Sequence, residues 1–163
     1  MRLDLRGIIH LPGGVKTFEF DLDLSDLDFY GRKPICEPVH VKGKVENRAD
    51  MLILEATASS ELDLLCDACG KPFRRVKTIE VQRMLATELQ DEEDDDIILL
   101  DGSILDAGEV FTTEFVLEMD TINLCREDCK GLCLGCGADL NTEPCQCKPD
   151  MDPRLSALSA LLE

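Results

Sequence analysis

The chain has 163 residues, enough for one domain with a small appended module, and 44% of them are apolar. Aromatics make up 4% and Trp is absent, so the core must rest on Leu, Ile and Val. The net charge of −17, from 34 Asp and Glu against 17 Lys and Arg, argues against a surface that grips phosphates. It suits a basic partner, or simply solubility.

Residues 2–24 alternate around Pro12-Gly13-Gly14, with Leu3, Leu5 and Ile8 before the turn and Phe18, Phe20, Leu22 and Leu24 after it. This pattern predicts a hairpin. A loop through Ser25–Pro38 carries Cys36. A second β stretch starts at Val39, Val41 and Val45, is interrupted by Gly43, turns at Asn47–Asp50 and returns through Leu52, Leu54, Ala56 and Ala58. Cys66-Asp-Ala-Cys-Gly70 forms a tight turn, after which Phe73, Val76, Ile79 and Val81 mark another strand. The six adjacent carboxylates Asp91–Asp96 repel one another and read as a solvated loop, or as an anionic finger for a basic partner. Ile97–Leu100 reads as a short strand, Asp101-Gly102 as a turn and Ala107–Met119 as a helix with Phe111, Phe115 and Met119 in the core. Asp152 and Pro153 open a C-terminal helix with the apolar stripe Leu155, Leu158, Leu161 and Leu162. The expected fold is α+β: mainly an antiparallel β meander with short helices and a C-terminal cysteine-rich zinc module. The expected boundary separates a β-rich core domain, 1–120, containing the turn at 66–70 and the acidic loop at 91–96, from a module at 121–163.

The nine cysteines carry the chemistry. Met1–Arg6 lead into a strand-like pattern and not a secretory signal, and no apolar run approaches the ~20 residues of a membrane span. In the cytoplasm this implies, closely spaced thiols read as metal ligands and not disulfides. Cys66-x2-Cys69-Gly70 and Cys133-x2-Cys136-Gly137 are knuckles, in which two sulfurs face one tetrahedral ion and the glycine lets the chain turn beneath it. Cys125, Cys129, Cys145 and Cys147 complete eight candidate ligands. The knuckle glycines favour zinc over an iron–sulfur cluster. Two groupings fit. In the local one, Cys133, Cys136, Cys145 and Cys147 share one ion while Cys66, Cys69, Cys125 and Cys129 share the other. In the ribbon one, the two knuckles clasp one ion and Cys125, Cys129, Cys145 and Cys147 the other. Loop closure favours the local grouping; a single zinc with spare thiols is a third arrangement. Cys36, far from both clusters, reads as a small buried side chain or a free thiol.

Nothing in the sequence points to catalysis. Four thiolates close a zinc site, whereas catalytic zinc keeps an open position. His10 and His40 lie in strand-like segments without a metalloprotease motif. No phosphate-binding glycine loop, dinucleotide fingerprint or nucleophile elbow occurs. A small-molecule substrate is therefore not expected.

Three segments carry a resemblance: Cys66-Asp-Ala-Cys-Gly-Lys-Pro-Phe73; Asn123-Leu-Cys-Arg-Glu-Asp-Cys-Lys-Gly-Leu-Cys-Leu-Gly-Cys-Gly-Ala-Asp-Leu-Asn141; and Asp152-Pro-Arg-Leu-Ser-Ala-Leu-Ser-Ala-Leu-Leu162. From about Pro38 onward the chain resembles the YceD family of large ribosomal RNA subunit accumulation proteins. The resemblance implies a role in synthesis, processing or stability of large-subunit ribosomal RNA, hence ribosome biogenesis. Combined with the charge, it points to a basic ribosomal protein or assembly factor as partner, with any effect on RNA indirect. The alternative is direct RNA binding by the zinc module, where Arg126, Lys130 and Lys148 give local positive charge.

Overall fold

The computed structural model describes residues 1–87 and 97–147. Nine elements follow in chain order among the described residues: β1 (Arg2–Asp4), α1 (Arg6–Ile9), β2 (Val15–Leu22), β3 (Val39–Arg48), β4 (Met51–Leu65), β5 (Pro72–Ala86), β6 (Ile97–Leu99), β7 (Ile104–Asp106) and α2 (Ala107–Leu117). They fall into two compact units: Met1–Leu64 with Arg74–Thr121, and Leu65–Phe73 with Ile122–Glu163.

The first unit is built on a five-stranded sheet ordered β2-β3-β4-β5-β6. Period-two alternation sets its inner face. On β3 it buries Val39, Val41 and Val45; on β4, Leu52, Leu54, Ala56, Ala58, Leu62 and Leu64; on β5, Ile79, Val81 and Leu85. The β3–β4 hairpin pairs Arg48 with Met51 around Ala49 and Asp50, both at positive φ. Asn47 Oδ1 accepts the Asp50 N–H, so the Asn-x-x-Asp stretch supplies its own turn. Gly43 does not interrupt β3. β4 leaves no room for a side chain there, since an added Cβ would lie 2.4 Å from Ala56 Cβ.

Helix α2 forms where sequence periodicity predicts it, ending at Leu117 and not Met119. Its N-cap, Asp106, accepts the Glu109 N–H at 3.2 Å, satisfying one orphan donor of the first turn. Phe111 and Phe115 are fully buried, and Phe111 meets Phe18 and Phe20 with ring centroids 6.0 and 6.1 Å away. These rings give an aliphatic core an aromatic centre despite their scarcity.

The first 24 residues do not form a hairpin. β1 pairs antiparallel with β7, Arg2 opposite Asp106, in a separate two-stranded sheet. Leu5–Ile8 is a three-residue spacing, out of phase with a strand. A helical turn buries both, with the Leu5 carbonyl accepting from the Ile8 and Ile9 N–H groups at 2.9 and 3.0 Å. His10 accordingly caps α1 and lies in no strand, whereas His40 does lie in β3. The sheet is mainly antiparallel, as expected, and β6 adds a parallel edge strand to β5, with Met84 opposite Ile97. A short apolar run fixes a strand but not its direction.

The acidic run Asp91–Asp96 and the C-terminal helix expected from Asp152 lie outside the described residues.

Candidate metal centres

The second unit contains all eight candidate ligands. The turn at 66–70, expected within the domain 1–120, groups instead with Ile122–Glu163, because its two sulfurs face those of Cys125 and Cys129.

The two knuckles are backbone copies of each other. The Cys66 carbonyl accepts the Gly70 N–H at 2.8 Å, and the Cys66 N–H reaches the Lys71 carbonyl at 2.9 Å. The Cys133 carbonyl accepts from Gly137 at 2.8 Å, and the Cys133 N–H reaches the Ala138 carbonyl at 2.8 Å. Gly70 and Gly137 have φ of 70° and 75°, the left-handed turn that a side chain resists.

Each knuckle is completed by a different pair. Cys66, Cys69, Cys125 and Cys129 bring their sulfurs within 4.8 Å of one another, and so do Cys133, Cys136, Cys145 and Cys147. This is the local grouping; the ribbon grouping does not occur. All nine cysteines are unlinked, and Cys36 is exposed, in neither cluster. A tetrahedron of thiolates around an ion at zinc–sulfur bond length, about 2.3 Å, has edges of about 3.8 Å. In the first cluster Cys66–Cys129 and Cys69–Cys125 are 3.7 and 3.8 Å apart. The second is tighter, at 3.4 Å for Cys136–Cys145 and 3.2 Å for Cys133–Cys145. The donor set and spacing fit a closed four-sulfur metal site in both places. The two differ in shielding: Cys66 and Cys69 are buried, whereas Cys136 and Cys147 are exposed.

The electrostatics suit a cation. The backbone N–H of Cys125, followed by those of Cys69 and Ala68, draws the Cys66 thiol down to about 6. The N–H of Cys136, then the Cys145 thiol and the Gly135 N–H, does the same for Cys133, also to about 6. Burial and the neighbouring thiols Cys66, Cys69 and Cys129 push Cys125 up to about 12. Cys145 and Cys136 push Cys147 up to about 12. Each cluster thus has one readily formed thiolate and one that resists ionising beside it. A bound divalent ion would favour the thiolate form of both.

Sequence reasoning missed the residues that brace the ligands. Asn141 Nδ2 approaches Cys129 Sγ at 3.5 Å, while its Oδ1 accepts from Arg126 Nη2 at 2.7 Å and the Lys130 N–H at 2.8 Å. Asp139 pairs with Lys71 at 2.5 Å and accepts the Asn141 N–H at 3.0 Å. Lys71, then the Asn141 contacts, holds its carboxyl down to about 2. Asp139 thereby links the first knuckle to the chain between Cys136 and Cys145. The available signal was an Asp and an Asn two apart in a loop between ligands, residue types that bond to neighbouring backbone. Arg126, read as local positive charge, is held by Asn141 and by Asp128 at 3.3 Å.

The family described as large ribosomal RNA subunit accumulation protein YceD matches residues 54–162. The chain belongs to the YceD family. Among relatives of this YceD chain, a Zea mays protein named large ribosomal RNA subunit accumulation protein YCED homolog 1, chloroplastic, is 28% identical, over 99% of this chain and 66% of its own. Uncharacterized proteins of Mycobacterium tuberculosis and Mycobacterium leprae are 28% and 25% identical, over 73% and 77% of this chain. This YceD chain spans 59 to 66% of the length of these relatives. No solved structure matches it. Among the described residues, no helix is long and apolar enough to cross a membrane.

Proposed function

We propose that this YceD chain is a zinc-stabilised, non-catalytic factor that sustains large-subunit ribosomal RNA in the cytoplasm. It does so by binding a basic ribosomal protein or assembly partner. The carrying observation is the family match across residues 54–162, which includes every cysteine of both four-sulfur clusters.

Zinc is the metal that four thiolates on glycine-ended knuckles suit best. A site closed by four sulfurs offers no position for substrate, which supports a structural role. Each such site adds a net charge of about −2, two positive charges against four thiolates. Zinc loading therefore leaves a chain of formal charge −17 more negative still. That favours a basic protein as the direct partner, with RNA affected through it. The engagement of Arg126 with Asn141 and Asp128 weakens the case for direct RNA binding.

The test is genetic and biochemical. Cells lacking the protein should show a lower ratio of large- to small-subunit ribosomal RNA, restored by the intact gene. The purified protein should bind basic large-subunit proteins and give no shift with ribosomal RNA at moderate salt. An unchanged RNA ratio would refute the role. A tight, steeply salt-dependent RNA complex would instead establish the direct-binding alternative.

A further inference from the structure

The first unit has an open groove of 630 Å³ that the metal centres leave unused. Its floor comes from β6 and from the side of α2 turned away from Phe111 and Phe115. Ile98 and Leu99 line it from the strand, Val110 and Leu117 from the helix. Leu99 is 52% exposed and Leu117 72%. Large aliphatic side chains gathered in one exposed concavity are a common mark of an interaction site. β6 is also the last strand of its sheet.

The groove's charge narrows the occupant. Among the described residues its carboxylates are Asp106, Glu109 and Glu114, against one cation, Arg83. Arg83 is spent on Glu114, which it grips with two bonds of 2.9 and 3.0 Å. Asp106 is occupied by Arg2 and the N-terminal ammonium. Glu109 is exposed and carries no ion pair among the described residues. An apolar floor with a net acidic rim fits aliphatic side chains flanked by Lys or Arg. Residues 152–163 offer a leucine stripe but only Arg154 against Asp152 and Glu163. A second copy would bring its own −17.

We propose that this groove between β6 and α2 docks a basic amphipathic segment of a partner protein. This rests on the reading above that the direct partner is a basic protein.

The test uses the full-length, zinc-loaded chain and fluorescence anisotropy. The probe is a labelled synthetic peptide of Leu and Lys, with Leu at helical i, i+3, i+4, i+7 spacing. A control peptide carries Ser in place of every Leu. The variant is Leu99→Ser with Leu117→Ser; both side chains are exposed, so circular dichroism should match the parent. The Leu/Lys peptide should bind the parent and lose about tenfold in affinity on the variant. The Ser/Lys control should bind weakly and equally to both. Equal binding of the Leu/Lys peptide to parent and variant overturns the groove and leaves the acidic-surface reading standing. No binding of either peptide overturns that underlying reading. Two further results overturn the choice of occupant. Truncation after residue 150 that tightens Leu/Lys binding about tenfold gives the groove to the chain's own tail. A concentration-dependent dimer abolished in the variant gives it to a second copy.

Discussion

Asn47 has a fully buried side chain, and each of its polar groups is used. Nδ2 donates to the carbonyls of Ile8 and Ile9 at 2.9 and 3.0 Å, and Oδ1 accepts from Asp50. Its backbone pairs with Gly13 and Gly14. One amide therefore ends α1, positions the entry to β2 and closes the β3–β4 turn. Asn47→Ala removes all three side-chain hydrogen bonds, takes from the Ile9 carbonyl its amide donor, and should cost about 1–3 kcal/mol in urea unfolding. A loss below a few tenths would mean that water replaces the amide. His40 is a different case, exposed on β3 with Asp21 at Nδ1 (2.9 Å) and Glu19 at Nε2 (3.2 Å). The bond to Asp21, aided by the charge of Asp21 and Glu19, raises its pKa above the usual histidine value. Its stabilisation is thus fully present below the unfolded pKa, about 6.5, and is lost as pH rises through the higher folded value. An NMR titration should place its midpoint above about 6.5, and Asp21→Asn should lower it. An unmoved midpoint would show that the contact is not formed in solution. Sequence could nominate Asn47 as a turn residue. Its reach to Ile8 and Ile9, 39 and 38 positions away, is set by packing that a local pattern does not contain.

The elements legible in sequence were those whose signal is local. The β3–β4 hairpin has clean alternation and a turn of Asn and Asp; α2 has its cap and its two Phe residues; the knuckles have fixed spacing and a glycine. β1 was not legible, because its partner β7 lies more than 100 positions away, and neither was the parallel placement of β6. Gly43 was legible only as a break, since its reason lies on the neighbouring strand. It sits opposite Ala56, and a Cβ there would come within 2.7 Å of the Glu55 carbonyl as well as crowding Ala56. Gly43→Ala should cost about 1–3 kcal/mol, the usual penalty for overpacking. Gly7→Ala, in α1 with open space around its Cβ, should be neutral or slightly stabilising. Thermal melts of the two variants should therefore separate clearly. Equal melting points would mean that β3 and β4 yield easily at Gly43 and Ala56.

For the whole molecule, the division into two units predicts a divided response to metal loss. Elemental analysis should give about two zinc ions per chain. Cys133→Ser with Cys136→Ser should leave about one, held by Cys66, Cys69, Cys125 and Cys129. Strong chelation should strip amide protection from 122–147 while the interior strand β3 keeps its own. Loss of both ions from the double variant would show that the clusters bind metal as one unit. Full native protection without metal would make the clusters dispensable to the fold. The grouping was foreshadowed by loop length, but the sorting of residues 65–73 with the C-terminal unit was not, since only the assembled clusters reveal it. The pairing of β1 with β7 has a consequence during synthesis. Arg2 and Asp106 are 104 positions apart, and a ribosome adds about 5–20 residues per second. The leading strand, with Leu3 in it and Leu5 just after it, therefore waits about 5–20 s for its partner to emerge. Until then it is an unpaired edge with apolar side chains, the form of nascent chain that chaperones intercept and that misfolds when translation stalls before β7.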